Sequence, residues 1–163
     1  MIYYDLDGVI RDLQYIGSFK TWDEPIFGKS FCDYINDNPE VLLNAPETEY
    51  FDLILWQAPI TILSIQPDNW KARTIRWLEG KHMGFGFTLF FTETSDEKLK
   101  WLMKGDYLVE DSPNFSDYSQ IILIDRLYNR NVKCDKRVKT PQELAKLLNS
   151  LGDLNAKNSH YTT

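Results

Sequence analysis

Three features of this 163-residue chain predict an α/β fold in which helices cover both faces of a central parallel sheet. Short apolar runs of strand length recur along it, helical patterns with caps stand between them, and several of the runs end in a carboxylate or hydroxyl side chain. Strands alternating with helices pair in parallel through right-handed crossovers. Such sheets bind ligands at the carboxyl ends of their strands.

The first strand is the apolar run at the N-terminus, which ends abruptly in Asp5-Leu6-Asp7-Gly8-Val9. Residues two apart on an extended chain point the same way, so Asp5 and Asp7 converge, and Gly8 lets the backbone turn sharply and approach a ligand. Two close carboxylates repel each other, so the pair makes most sense around a bound cation. Oxygen ligands suit magnesium, whose natural partner is phosphate.

From Arg11 to about Ala58 the polarity is mixed, with turn signals at Asn38-Pro39 and Ala45-Pro46 and short apolar-periodic pieces. Residues 12–58 therefore read as a small, mainly helical insertion after the first strand. Residues 59–64 form a second strand, closed by Ser64 and the turn Gln66-Pro67-Asp68. Asp68 or Asn69 caps a helix over about 70–81, with Trp70, Ile75, Trp77 and Leu78 on its apolar face. A third strand is predicted over 87–91, a short helix over 97–103, a fourth strand over 107–109 ending at Glu110-Asp111, and a fifth over 121–124. The clearest helix comes last: Thr140 caps it, Pro141 takes its first position, Glu143 completes a capping box, and Leu144, Leu147, Leu148 and Leu151 make its apolar stripe. The sheet-bearing core is then 1–11 with 59–151, and 152–163 is a flexible polar tail.

A 43% hydrophobic and 14% aromatic composition supplies one compact core. The net charge of −6 argues against stable nucleic-acid binding, which calls for a basic face, and favours a small-molecule substrate. Cys32 and Cys134 have no second pair, so neither a disulfide framework nor a zinc site is indicated, and a reduced cytoplasmic setting is expected. Asp5 interrupts the first apolar run, which predicts no signal peptide, and no stretch approaches a membrane span. Nothing in the composition opposes an oligomer.

Asp5-Leu6-Asp7-Gly8-Val9 after a buried strand resembles the first motif of the haloacid dehalogenase superfamily. The rest of that pattern comes in order: Ser64 after the second strand, Lys98 or Lys100 before the fourth, and Glu110-Asp111 at its end. The resemblance implies a Rossmann-like core with a cap inserted after the first strand. It also implies that Asp5 attacks phosphorus to form an aspartyl-phosphate, that Asp7 serves as general acid and then general base, and that Ser64 hydrogen-bonds a phosphoryl oxygen while the lysine balances its charge. Magnesium would be held by Asp5, the backbone carbonyl of Asp7, and Asp111.

Over roughly 1–148 the chain is similar to the 5'(3')-deoxyribonucleotidase family. The similarity rests on the first motif, on Ser64-Ile65-Gln66-Pro67 with Asn69-Trp70 and Arg76-Trp77-Leu78-Glu79, and on the stretch from Lys100 through Lys104-Gly105-Asp106 to Glu110-Asp111-Ser112-Pro113-Asn114. Read without gaps, that last stretch selects Lys100 as the catalytic lysine. Two departures stand out: Glu110 where the family has an aspartate, and Ser64 where it has a threonine. Glu110 is the longer carboxylate and reaches a metal directly or through water. Trp22, Phe27, Phe31, Tyr34 and Trp56 in the insertion either stack on a base or form the insertion's own core.

The expected activity is a magnesium-dependent hydrolysis of nucleoside or deoxynucleoside monophosphates. The rivals are a phosphatase for another small ester, a phosphatase for polynucleotide 3'-phosphate ends, and a non-catalytic binding module. The module would be expected to have lost some of Asp5, Asp7, Ser64, Lys100 and Asp111, and all are present.

Overall fold

The computed structural model describes residues 1–17, 20–21, 23–81 and 86–159, and of 153–159 the helical backbone alone. Its centre is a parallel sheet of six strands in the order β3-β2-β1-β4-β5-β6. These are β1 (Ile2–Tyr4), β2 (Ile60–Ile65), β3 (Phe87–Thr92), β4 (Tyr107–Glu110), β5 (Ile121–Ile124) and β6 (Arg137–Val138). Five of them are legible as apolar runs. The sixth has two residues, too short for any periodicity, and forms because Arg137 and Val138 register against Leu123 and Ile124.

Alternation along the strands divides the core into two layers. Tyr4, Ile62, Val109, Ile122 and Ile124 point to one face, where they meet Trp77 and Leu78 of α4 (Asp68–Gly80) and Leu144, Leu148 and Leu151 of α6 (Pro141–Ser159). Tyr3, Leu63, Leu108, Ile121 and Leu123 point to the other, against Leu99 of α5 (Ser95–Lys100) and Phe115 of the short turn Pro113–Phe115. Both faces are thus covered by helices, as parallel sheets require.

Helix ends are set by side-chain caps. Thr94 accepts from the Glu97 N–H at 3.2 Å, and the Glu97 carboxylate accepts from the Glu93 N–H at 2.7 Å, so α5 starts at Ser95 and stops at Lys100 rather than spanning 97–103. Thr140 and Glu143 cap α6 in the same way, at 3.2 Å and 2.7 Å. That helix runs on to Ser159, past the expected end at 151. Pro67 precedes α4, which begins at Asp68, two residues ahead of the expected start.

Residues 12–58 carry α1 (Phe31–Asp37), α2 (Val41–Asn44) and α3 (Phe51–Leu55). Leu13, Ile35, Leu42 and Ala45 make a small core of their own against Trp70 of α4. The Trp77 indole N–H donates to the Ala45 carbonyl at 2.8 Å, fastening this segment to the main body. Both cysteines are free, and no helix among the described residues is long and apolar enough to cross a membrane.

Strand order fixes where a ligand can enter this sheet. The chain leaves β1 towards β2 and β3 on one side, then returns to place β4 on the other side of β1. Connections that leave a strand in opposite directions open a crevice at its carboxyl end, where parallel sheets bind ligands.

Candidate active site

The crevice lies where β1 and β4 end. Asp5 extends the pairing by one residue, its N–H donating to the Val109 carbonyl at 2.9 Å. The chain then turns at Gly8, whose φ of +83° suits glycine. A Cβ there would stand 1.8 Å from Asp111 Oδ2, so Gly8 is what allows the β1 and β4 ends to come so close. Arg126 clamps the turn, donating to the Gly8 carbonyl from Nε at 3.1 Å and Nη2 at 2.7 Å.

Lys98 is buried between two carboxylates. Its Nζ lies 2.5 Å from Asp5 Oδ1 and 2.6 Å from Glu110 Oε2. Lys100, which the gap-free reading of the third motif selects, is exposed at the last position of α5 and contributes nothing to the crevice. The reason is helix phase: residues two apart on a helix face nearly opposite ways, and the Thr94–Glu97 cap decides which of the two lysines turns inward.

Glu110 is largely occupied by the protein. One oxygen holds Lys98, and the other accepts from the N–H groups of Asp111 and Ser112, both at 3.0 Å. Glu110 therefore positions the lysine and the exit of β4. Asp111 is held differently: its carboxylate accepts from the Tyr128 hydroxyl, and its carbonyl from buried Asn129 at 2.7 Å.

Asp5, Glu110 and Asp111 are buried, and each offers an oxygen within 4.8 Å of the others. Lys98 is the single ammonium among them. Burial, together with the charge of Glu110, pushes the Asp5 carboxyl up to about 8. Burial, Glu110 and Asp5 likewise raise Asp111 well above the ordinary carboxylate value. Lys98 stays charged because Asp5 and Glu110 outweigh the burial that opposes it. So much uncompensated negative charge fits a divalent cation with hard oxygen ligands.

This crowding makes the site sensitive to pH. The Asp5 carboxyl moves from 3.8 to about 8 on folding, so folding takes up a proton between those values. This group's contribution to stability is full below the unfolded value and is lost as pH rises towards the folded one. A cation must displace that proton. A divalent cation that binds these carboxylates, with magnesium as the probe, should therefore raise the thermal midpoint more at pH 8 than at pH 5, and equal shifts at the two pH values would contradict such binding.

Above the carboxylates opens a cleft of about 710 Å³, within the size range of small-molecule sites. Asp5, Asp7, Ser64 and Asp111 all line it, together with Lys98. Ser64 is buried at the end of β2. The aromatic residues of the insertion divide. Phe31 lines the cleft and packs edge-on against Trp70, with ring centres 6.4 Å apart. Phe27 is 84% exposed and Trp56 is 86% exposed, both away from the cleft, and Tyr34 packs against the insertion's own core. Trp22 lies outside the described residues. Trp70, which the periodicity of α4 marks only as core, also lines the cleft, as do Phe115 and Tyr128.

Three groups around Asp7 receive no role in the motif reading: Arg11, Thr74 and Gln66, the last quoted only as part of the second motif. A signal for two of them exists, since Arg11 stands four residues after Asp7 and Gln66 two residues after Ser64, on the same side of an extended chain. Compared with known proteins, the chain matches no protein-family model and no curated protein sequence.

Proposed function

We propose that this chain is a magnesium-dependent phosphomonoesterase of the haloacid dehalogenase type, acting through an aspartyl-phosphate on nucleoside or deoxynucleoside monophosphates. The observation that carries the reading is Asp5 at the switch point of the sheet, held through Oδ1 by buried Lys98, with Asp7, Ser64 and Asp111 around the same cleft. In this reading residues 12–58 are the cap and the sheet with its helices is the catalytic core.

With Oδ1 fixed by Lys98, Oδ2 of Asp5 is the attacking atom. The new Asp5–phosphorus bond forms as the ester bond breaks, and Asp7 gives its proton to the departing alkoxide. Asp7 then takes a proton from water, whose oxygen attacks phosphorus, releases inorganic phosphate and restores Asp5. Ser64 donates to a phosphoryl oxygen, and Lys98 balances the charge that builds up there. Asp5, the Asp7 carbonyl and Asp111 would hold magnesium, which when bound neutralises phosphate charge against these carboxylates.

The nucleotide preference rests on the motif resemblance and on the rings of Phe31 and Trp70 at the cleft. Phosphate release from a panel of nucleoside and sugar monophosphates, with and without magnesium, tests it. Release should need magnesium and be fastest for nucleotides. Phe31→Leu should cost nucleotides about 5- to 150-fold in kcat/KM, the range of about 1–3 kcal/mol for base stacking, and cost a small generic ester much less. Sugar phosphates outrunning every nucleotide would retire the nucleotide reading and leave the phosphatase.

A further inference from the structure

Asp7 sits in a closed ring of hydrogen bonds that the catalytic motifs do not describe. Arg11 Nε donates to Asp7 Oδ1 at 2.6 Å, and Gln66 Nε2 donates to Asp7 Oδ2 at 2.8 Å. Thr74 Oγ1 closes the ring, accepting from Arg11 Nη2 at 3.1 Å and donating to Gln66 Oε1 at 2.7 Å. Arg11 and Thr74 are 0% exposed and Gln66 is 5% exposed, whereas Asp7 keeps 22% of its side chain open on the cleft. Arg11 also donates from Nη1 to the Leu42 carbonyl at 3.3 Å, and its guanidinium lies 5.5 Å from the centre of the Trp77 ring.

We propose that Arg11, Gln66 and Thr74 are positioning residues for Asp7, fixing the direction in which its carboxyl faces the cleft and tying that direction to the insertion through Leu42. The inference rests on the reading of Asp7 as the acid that protonates the leaving group. Three buried polar side chains in a self-satisfied ring are expensive to assemble, and each keeps its geometry only while the others are present. A carboxyl gripped at both oxygens cannot swing about its χ angles. The proton it carries as the acid, on a position that Arg11 and Gln66 leave open, is therefore presented to the cleft in one orientation, as transfer to a departing alkoxide requires.

Arg11 is the least suitable residue to remove, because its loss takes a hydrogen bond from Asp7, from Thr74 and from the Leu42 carbonyl at once. Gln66→Leu and Thr74→Val keep size and shape and delete single ring members. Each would be assayed by kcat/KM, which reports the first bond-breaking step, on the fastest alkyl ester of the panel and on p-nitrophenyl phosphate, whose leaving group needs little protonation. Gln66→Leu should lose about 10- to 100-fold on the alkyl ester and several-fold less on the aryl ester, with Thr74→Val changing in the same direction. Placed in an Asp7→Asn background, Gln66→Leu should cost nothing further, because it acts through Asp7. Equal losses on both esters, or full additivity with Asp7→Asn, would overturn the positioning role alone. If Asp7→Asn itself depressed both esters equally, the acid reading of Asp7 would fail and this inference with it.

Discussion

Asp5→Asn should fold, keep its cleft, and lose turnover by on the order of 10⁴-fold or more, the scale seen when a nucleophile is deleted from an active site. The amide is nearly isosteric with the carboxylate, and its carbonyl oxygen can still accept from Lys98, but its nitrogen cannot attack phosphorus. It also removes one negative charge from a crowded buried cluster, so the thermal midpoint without magnesium should hold or rise. Phosphate release, together with acid-quenched trapping of a labelled phosphoprotein, measures both aspects. Parent-like rates or an undiminished covalent label in the variant would eliminate Asp5 as nucleophile.

Lys98→Met should cost about 10²- to 10³-fold in kcat, the usual loss when a charge-stabilising donor is deleted, while Lys100→Met should stay within about twofold of the parent. The contrast comes from placement: Lys98 lies between Asp5 and Glu110, and Lys100 faces solvent. Removing Lys98 leaves two buried carboxylates unpaired, which typically costs about 3–5 kcal/mol, so the variant is to be assayed below its own thermal midpoint and in excess magnesium. Should Lys98→Met fail to fold, Lys100→Met still decides the matter. A large loss there would move the catalytic lysine to the position that the gap-free motif selects.

The two variants also mark how far sequence carries in this protein. Asp5, Asp7, Ser64 and Asp111 are legible because each stands at the end of an apolar run of strand length, and strands in parallel bring their carboxyl ends to one edge whatever lies between them. The two layers of the core are legible for a similar reason, since alternation along a strand assigns faces without reference to distant residues. The lysine is an intermediate case. Its helix can be foreseen, but the choice between Lys98 and Lys100 depends on where that helix starts, and Thr94 with Glu97 shifts the start two residues ahead of the apolar pattern.

Local chemistry, then, determined the α/β class, five of the six strands, the capped final helix and the acidic and hydroxyl members of the candidate site, because all of these are set by neighbours within a few positions. Tertiary structure alone decided the rest. The two-residue β6 exists only through its ladder with β5, and Glu110 proves to be a holder of Lys98 once its oxygens are counted. Phe31 and Trp70, rather than Phe27 or Trp56, reach the cleft because of how α1 packs on α4. The ring around Asp7 joins side chains from β1's exit, β2's exit and the middle of α4, and a hydrogen bond between residues 59 positions apart leaves no periodic trace in the chain that makes it.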